Sequence, residues 1–219
     1  MKTGSTDSLK KITGIGVFSA LAFITTLICK MIPQVAGFLT LDAKDSVIAI
    51  ASFIYGPIAA PIISFIVAFI EFISISQTGP WGLLMNFVSS TAFSLTASLI
   101  YKFKKTLNGA IIGLGAATAV TTVTMALLNI FVTPLYLGVP TEAVIELLPG
   151  VLIPFNFGKT LLNGAIALLL YKPIINAMRS AHLVSGGAHK TEFNKTSVLT
   201  LIVGGVSLIS ALLVLLIIW

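Results

Sequence analysis

An amide and an ammonium group stand three residues apart at the start of an apolar segment, in the run Ile153-Pro154-Phe155-Asn156-Phe157-Gly158-Lys159. This spacing places the side chains of Asn156 and Lys159 on one face of a helix, and Asn163 continues that face four residues later. Polar and ionisable side chains are costly in an apolar membrane helix, and they usually line a cavity or pathway. The sequence therefore predicts a polar wall that faces a pocket and forms hydrogen bonds with a ligand.

The composition is that of an integral membrane protein. Hydrophobic residues make up 57% of the 219 residues, charged residues make up 9%, and the mean hydropathy is +1.07. A chain with so little polar surface cannot coat a water-soluble globule. Apolar runs long enough to cross roughly 30 Å of hydrocarbon lie near 12–30, 45–75, 82–101, 107–130, 151–171 and 197–219.

The second of these runs is long enough for two helices. Tyr55-Gly56-Pro57 interrupts it, because proline lacks a backbone donor and disfavours helical geometry in the preceding residue. The expected fold is therefore an all-α membrane protein, with a bundle of six core helices and one extra C-terminal transmembrane helix.

Patterns of known catalytic sites are absent from the sequence. Phe157-Gly158-Lys159-Thr160 imitates the end of a phosphate-binding loop, but that motif needs a glycine where Ile153 stands, and a preceding strand. The motifs HExxH and GxSxG do not occur. Cys29 is the single cysteine, which excludes a disulfide within this sequence and a cysteine-based metal cluster. We therefore expect no enzyme activity, no metal and no cofactor.

The basic residues behind the net charge of +6 cluster on one side of the membrane. They lie before the first helix, between the fourth and fifth, and after the sixth: Lys2, Lys10, Lys11, Lys102, Lys104, Lys105, Lys172, Arg179, Lys190 and Lys195. Loops rich in lysine and arginine stay in the cytoplasm, so we expect a multi-pass protein with a cytoplasmic N-terminus. The charges are then topology signals at a lipid bilayer, and we expect no nucleic-acid partner.

The predicted topology gathers polar residues at the opposite, outer side. Asn129 lies near the outer end of the fifth helix, on one face with Thr118, Thr122 and Met125. The other polar candidates on this side are Asp42, Asp45, Asn86, Tyr136, Asn156 and Lys159. For the amides the alternative interpretation is hydrogen bonding between helices. For the lysine it is a snorkelling side chain that reaches the interface.

The chain is expected to divide into four segments. Residues 1–11 form a cytoplasmic N-terminus, and 12–180 form the six-helix transmembrane domain. Residues 181–196 form a cytoplasmic linker, because this is the one clearly water-compatible stretch between spans. Residues 197–219 form the additional transmembrane helix. The apolar connection 31–41 is expected to fold back onto the bundle.

Together these features resemble the S components of energy-coupling factor (ECF) transporters, the small vitamin-capturing subunits of bacterial import systems, and most closely the riboflavin-specific ones. The resemblance covers about residues 10–180. It rests on segments 38–45, 55–57, 79–87, 133–136 and 153–156, together with Asn129 and Lys159. It implies a vitamin-binding six-helix domain in the bacterial cell membrane.

The resemblance also implies which residues meet the ligand. In that family the matching asparagines and lysine hydrogen-bond the flavin, and a leucine–aspartate loop closes over it. A flat ring system with a polar edge needs apolar walls, which are expected from Phe38, Leu41, Met85, Phe155 and Phe157. The predicted substrate-binding set is Leu41, Asp42, Met85, Asn86, Asn129, Phe155, Asn156 and Lys159.

The family implies protein partners as well. These are a transmembrane coupling protein and two cytoplasmic ATPases, with small residues of the first helix, Gly16 and Ala20, as the docking face. Two features depart from the family pattern. Lys44 puts a cation between Asp42 and Asp45, and the C-terminal helix exceeds the usual six spans.

We therefore expect the substrate-binding subunit of an ATP-driven vitamin importer, which captures riboflavin from outside and delivers it inward with its coupling protein and ATPases. Within this class, another vitamin or FMN is an alternative ligand, since Lys159 can meet a phosphate. A structural or assembly protein, whose amides only pack helices, is an alternative of a different class. A membrane enzyme is a third.

Overall fold

The computed structural model of the chain describes residues 3–181, 183 and 195–218. These residues form eight α-helices: α1 (Thr3–Cys29), α2 (Lys44–Tyr55), α3 (Ala59–Ser74), α4 (Gly79–Phe103), α5 (Leu107–Leu137), α6 (Thr141–Leu147), α7 (Ile153–Ser180) and α8 (Lys195–Ile218). A π-helical turn, Leu148–Leu152, joins α6 to α7. Most of the expected linker 181–196, with both histidines, lies outside the described residues.

Five helical segments of the described chain are long and apolar enough to cross a membrane: α1, α4, α5, the α6–α7 segment and α8. Helices α2 and α3 lie between α1 and α4 along the chain, and they are separated at the break that the sequence predicted. Helix α2 ends at Tyr55, and Gly56 follows with a φ of 95°, which L side chains rarely adopt. Helix α3 begins at Ala59. The all-α membrane fold is confirmed.

The fifth helix is longer than the predicted span 107–130, and this difference has a local cause. Pro134 and Tyr136 lie beyond the predicted span, but both are inside α5. A proline removes one backbone hydrogen bond without ending a helix that neighbouring helices hold in place. The stop comes instead at Gly138, which has a φ of 68° and caps the helix in the left-handed region. The expected loop beyond it contains α6 and the π-helical turn.

Small residues let α4 approach its neighbours closely. The buried face of α4 carries serines at positions 89, 90, 94 and 98, and its backbone at Ala97 lies against Gly113 of α5. Small side chains at helix contacts are typical of membrane bundles, where close backbone approach supplies packing energy. This packing fixes α5 and α4 on either side of the pocket described below.

We expect Gly113→Ala to destabilise the bundle by about 1–3 kcal/mol, since a Cβ there would lie 2.7 Å from the Ala97 carbonyl oxygen. Gly115→Ala is the matched control on the same helix, because its Cβ would meet nothing within 4 Å. Alanine favours the helix, so the control should be unchanged or slightly more stable. Thermal unfolding in detergent compares the two, and equal midpoints would contradict the close packing.

The additional helix, α8, packs closely against α7 at glycines whose lack of a side chain leaves room for leucine side chains. A Cβ on Gly158 would lie 3.0 Å from Leu215, and a Cβ on Gly204 would lie 2.8 Å from Leu169. Much of the remaining surface of α8 is exposed and aliphatic, for example Ile202, Val206 and Leu213. Helix α8 is therefore attached to the family-like bundle along α7 and presents its other faces to the bilayer.

Candidate functional site

A pocket opens at one end of the bundle. It lies between the C-terminal ends of α1, α3 and α5, the N-terminal ends of α4 and α7, and the α1–α2 loop. It encloses about 1030 Å³ of space free of protein atoms, counting its open mouth. The members of the predicted substrate-binding set that line it are Asp42, Met85, Asn86, Asn129, Phe155, Asn156 and Lys159.

Leu41 and Phe157 are oriented differently from expectation. Leu41 is buried in an apolar cluster with Phe155, Leu162 and Leu215, and it does not line the pocket. Its aliphatic surface is removed from water there, which is favourable. Phe157 is 41% exposed on the outer surface of α7 and does not line the pocket either. The α1–α2 loop contributes Phe38, as predicted, to the wall.

A chain of alternating charges crosses the floor of the site. The Nζ of Lys159 lies 2.8 Å from Oδ2 of Asp42, and the Nζ of Lys44 lies 3.6 Å from the same oxygen. Lys44 also donates to Oε1 of Glu71 at 2.6 Å, and the other Glu71 oxygen accepts from Nδ2 of Asn86 at 2.9 Å. All four charged side chains are buried. They neutralise one another where isolated charges would be prohibitively costly.

Only one of the two carboxylate oxygens of Asp42 contacts the neighbouring ammonium groups. Burial opposes its ionisation, but the ammonium groups of Lys159 and Lys44 outweigh burial and lower the pKa of this loop carboxyl below its ordinary value. Its Oδ1 is buried and has no hydrogen-bond partner among the described residues. An unmet buried acceptor costs free energy.

Asn163 holds the loop but does not line the pocket. Its Nδ2 donates to the backbone oxygens of Asp42 at 2.9 Å and Lys159 at 3.0 Å, and its Oδ1 accepts from the backbone N–H of Ser46 at 2.8 Å. It is fully buried. The third member of the predicted polar stripe therefore ties the start of α2 to α7 and sets the position of Asp42.

The other two asparagines keep hydrogen-bonding capacity for a ligand. Asn129 donates to the Met125 carbonyl at 2.7 Å and accepts from the Thr133 hydroxyl at 2.7 Å. Asn156 donates to the Leu152 carbonyl at 2.8 Å. A primary amide has two N–H donors and an oxygen with two lone pairs. One N–H of Asn129, one N–H of Asn156 and the amide oxygen of Asn156 therefore take part in none of these bonds.

The predicted threonine face on α5 does not extend into the pocket. Thr118 and Thr122 donate to carbonyls one turn earlier in their own helix, and neither lines the pocket. Thr133 does line it. The sequence interpretation missed Thr133 because it ended the helix too early.

Several other lining residues were not assigned to the site from the sequence. They comprise one tryptophan and several polar side chains at the mouth of the pocket. These additional lining residues are Lys30, Gln34, Thr40, Ser76, Gln77 and Trp81. Only the return of the loops over the bundle brings them together, so residue spacing alone carried no signal for them.

The predicted docking residues lie on a different surface. Gly16 and Ala20 are exposed on α1, and a Cβ on Gly16 would meet nothing within 4 Å.

The described residues hold no group of three His, Cys, Asp or Glu side chains suited to a metal ion. The pocket around Asp42 combines hydrogen-bonding amides, a network of three buried ion pairs and apolar walls.

Three comparisons place the chain among known proteins. The family model described as ECF transporter, substrate-specific component, matches residues 10–175. The riboflavin transporter RibU of Staphylococcus aureus (strain TCH60) is 33% identical over 177 residues, which covers 78% of this chain and 93% of that protein. The riboflavin transporter FmnP of Bacillus subtilis (strain 168) is 28% identical over 187 residues, covering 80% of this chain and 98% of the relative.

A solved structure gives the same relationship. The S component of a bacterial ECF transporter superimposes with a TM-score of 0.67 at 32% identity, covering 78% of this chain and 99% of that one. The family model ends at residue 175, whereas α8 begins at Lys195. The additional helix therefore lies beyond the matched family region.

Proposed function

Because the chain belongs to the substrate-specific components of ECF transporters, we propose that its pocket binds riboflavin and that it serves as the substrate-binding subunit of an ATP-driven riboflavin importer. The relatives named above are riboflavin transporters. The family is one of transporter subunits and not of enzymes. The observation that carries the proposal is that Asp42, Lys159, Asn129 and Asn156 line one pocket together with apolar side chains.

The chemistry of a flavin fits this arrangement. Its ring system is flat and largely apolar, with carbonyl and N–H groups along one edge. In this proposal the Asp42 carboxylate accepts from the ring N–H, while Lys159, Asn129 and Asn156 donate to the carbonyl groups. Aromatic and methionine side chains of the lining, including Phe38, Met85 and Phe155, cover the apolar body.

The loop between α1 and α2 forms the lid in this proposal. Asp42 links it to Lys159 of α7, and Leu41 packs into the apolar cluster beside α7. Leu41 then acts through the position of the loop and not by touching the ligand. Asn86 is bonded to Glu71 and lines the same pocket, so it is assigned to the ligand's polar surroundings.

The proposed orientation puts the pocket outside and the N-terminus in the cytoplasm. Its support is the distribution of lysines: Lys10 and Lys11 near the start of α1, and Lys102, Lys104 and Lys105 after α4, all belong to the end of the bundle away from the pocket. Basic segments stay on the cytoplasmic side. Riboflavin is then captured from outside.

The proposed partners are a transmembrane coupling protein and two cytoplasmic ATPases. The sequence lacks a complete phosphate-binding loop of its own, so in this proposal ATP is hydrolysed by the partner ATPases. The exposed small residues Gly16 and Ala20 are the proposed docking face, because small side chains allow a partner helix to approach closely.

The proposal predicts that the protein purifies with its ligand. Chain purified in mild detergent from riboflavin-supplied cells should be yellow, with a flavin absorption spectrum and about one flavin per chain. Mass spectrometry of the released ligand separates riboflavin from FMN. A correctly folded but colourless preparation, which takes up no flavin on addition, would favour a structural role for the buried amides.

A further inference from the structure

A second pocket lies at the opposite end of the bundle, where α4, α5, α7 and α8 meet. It encloses about 630 Å³ free of protein atoms, counting its mouth. Its inner wall is apolar, with the buried side chains Ala110, Ala167 and Leu168. None of its lining residues belongs to the pocket around Asp42.

The rim of this second pocket is cationic and hydroxylated. Lys105, in the α4–α5 connection, and Lys172, on α7, both line it. The hydroxyl groups of Tyr101 and Tyr171 lie 3.1 Å apart and line it as well. No carboxylate lines it in the part of the chain that the structure describes. An anion at this rim would therefore meet two ammonium groups and two tyrosine hydroxyl groups.

An apolar cavity below a cationic rim matches the two parts of a phospholipid. A small soluble anion would use the lysines but leave the apolar wall empty. A neutral lipid would fill the cavity but leave the charge of the rim unused. Basic pockets between membrane helices are typical sites for anionic lipid headgroups.

The additional helix completes the wall of this pocket. Thr200 of α8 is buried and lines it, one turn before Gly204, whose Cβ would lie 2.8 Å from Leu169 of α7. We propose that this pocket binds one anionic glycerophospholipid, with its phosphate between Lys105 and Lys172 and one acyl chain in the apolar cavity. The lipid then bridges α8 to the six-helix bundle.

Native mass spectrometry of the detergent-purified full chain tests this site. The probes are dioleoyl phosphatidylglycerol and dioleoyl phosphatidylcholine, which share acyl chains but differ in headgroup charge. The anionic lipid should bind about tenfold more tightly than the zwitterionic lipid. In Lys105→Gln/Lys172→Gln its affinity should fall about thirtyfold, since the attraction of two lysines for the headgroup is lost together.

The matched control removes the same charge from the same end of the protein. Lys102→Gln/Lys104→Gln alters exposed lysines that do not line the pocket, so affinity for phosphatidylglycerol should stay within about twofold of wild type. Equal losses in the two double variants, or equal binding of the two lipids by the wild-type chain, would overturn the site in favour of general surface attraction.

A second variant tests the acyl-chain half of the proposal. Ala167→Leu places bulk in the apolar cavity without changing charge, and it should weaken both lipids while keeping the preference for the anionic one. Millimolar inorganic phosphate should not displace phosphatidylglycerol from the wild-type chain. Displacement by phosphate, or unchanged lipid binding in the leucine variant, would show that no acyl chain occupies the cavity.

Discussion

Replacing Lys44 with methionine is expected to lower the free energy of unfolding by about 3–5 kcal/mol. The Lys44 ammonium is buried between Asp42 and Glu71. Without it, Glu71 keeps a single neutral partner, Asn86, and is left as an uncompensated buried carboxylate. Removing one member of a buried pair is costly because the remaining charge stays desolvated.

The ion-pair origin of this effect can be separated from a general packing effect. In Lys44→Met/Glu71→Met both charges are removed, so stability should return to within about 1–2 kcal/mol of wild type. Lys104→Met, at an exposed lysine, should be nearly neutral. Thermal and denaturant unfolding in detergent measure all three. A double variant that is less stable than Lys44→Met alone would contradict the pairing.

Replacing Asn156 with leucine is expected to weaken riboflavin binding about tenfold to a hundredfold. Asn156 lines the pocket, and its amide oxygen and one N–H remain beyond its bond to Leu152. Leucine has a similar volume but cannot hydrogen-bond the polar edge of the ring. The ligand would then lose one hydrogen-bond partner.

Asn108→Leu is the matched control for this substitution, because Asn108 is exposed near the start of α5 and does not line the pocket. Its affinity for riboflavin should equal that of the wild type. Fluorescence titration measures affinity, and thermal unfolding of each apo variant shows whether the fold is intact. Equal affinity of Asn156→Leu and Asn108→Leu would remove Asn156 from the ligand-binding set.

Hydropathy and helix-breaking residues were sufficient to predict the architecture, because bilayer thickness ties span length to sequence length. The break after Tyr55 followed from Gly56 and Pro57, and the family resemblance is confirmed. Helix α5 was predicted too short because the span 107–130 is already long enough to cross the bilayer, whereas the helix continues through Pro134 and ends at Gly138.

The polar side chains of the pocket were partly predictable for a similar reason. The three-residue spacing of Asn156 and Lys159 brings both to the pocket, since helical periodicity is local information. The pairing of Lys44 with Glu71 joins residues 27 positions apart, and no local pattern encodes such a contact. Leu41 and Phe157 were misplaced because sequence spacing does not say which neighbouring surface each apolar side chain faces.

The role of Lys159 is more specific than the sequence indicated. The sequence alternatives were a ligand contact and a snorkelling side chain. The structure pairs it with Asp42 at 2.8 Å while it still lines the pocket. A ligand that meets Lys159 therefore also meets a carboxylate from the α1–α2 loop, which couples occupancy of the pocket to the position of the lid in our proposal.

Titration of riboflavin with the purified, ligand-free chain tests the central claim most directly. Binding between aromatic walls should quench flavin fluorescence, and the quenching should saturate at one riboflavin per chain. Asn156→Leu should shift the curve to higher concentration, whereas Asn108→Leu should leave it unchanged. If the folded wild-type chain leaves flavin fluorescence unchanged and retains no riboflavin on gel filtration, the pocket is not a riboflavin site and the account fails.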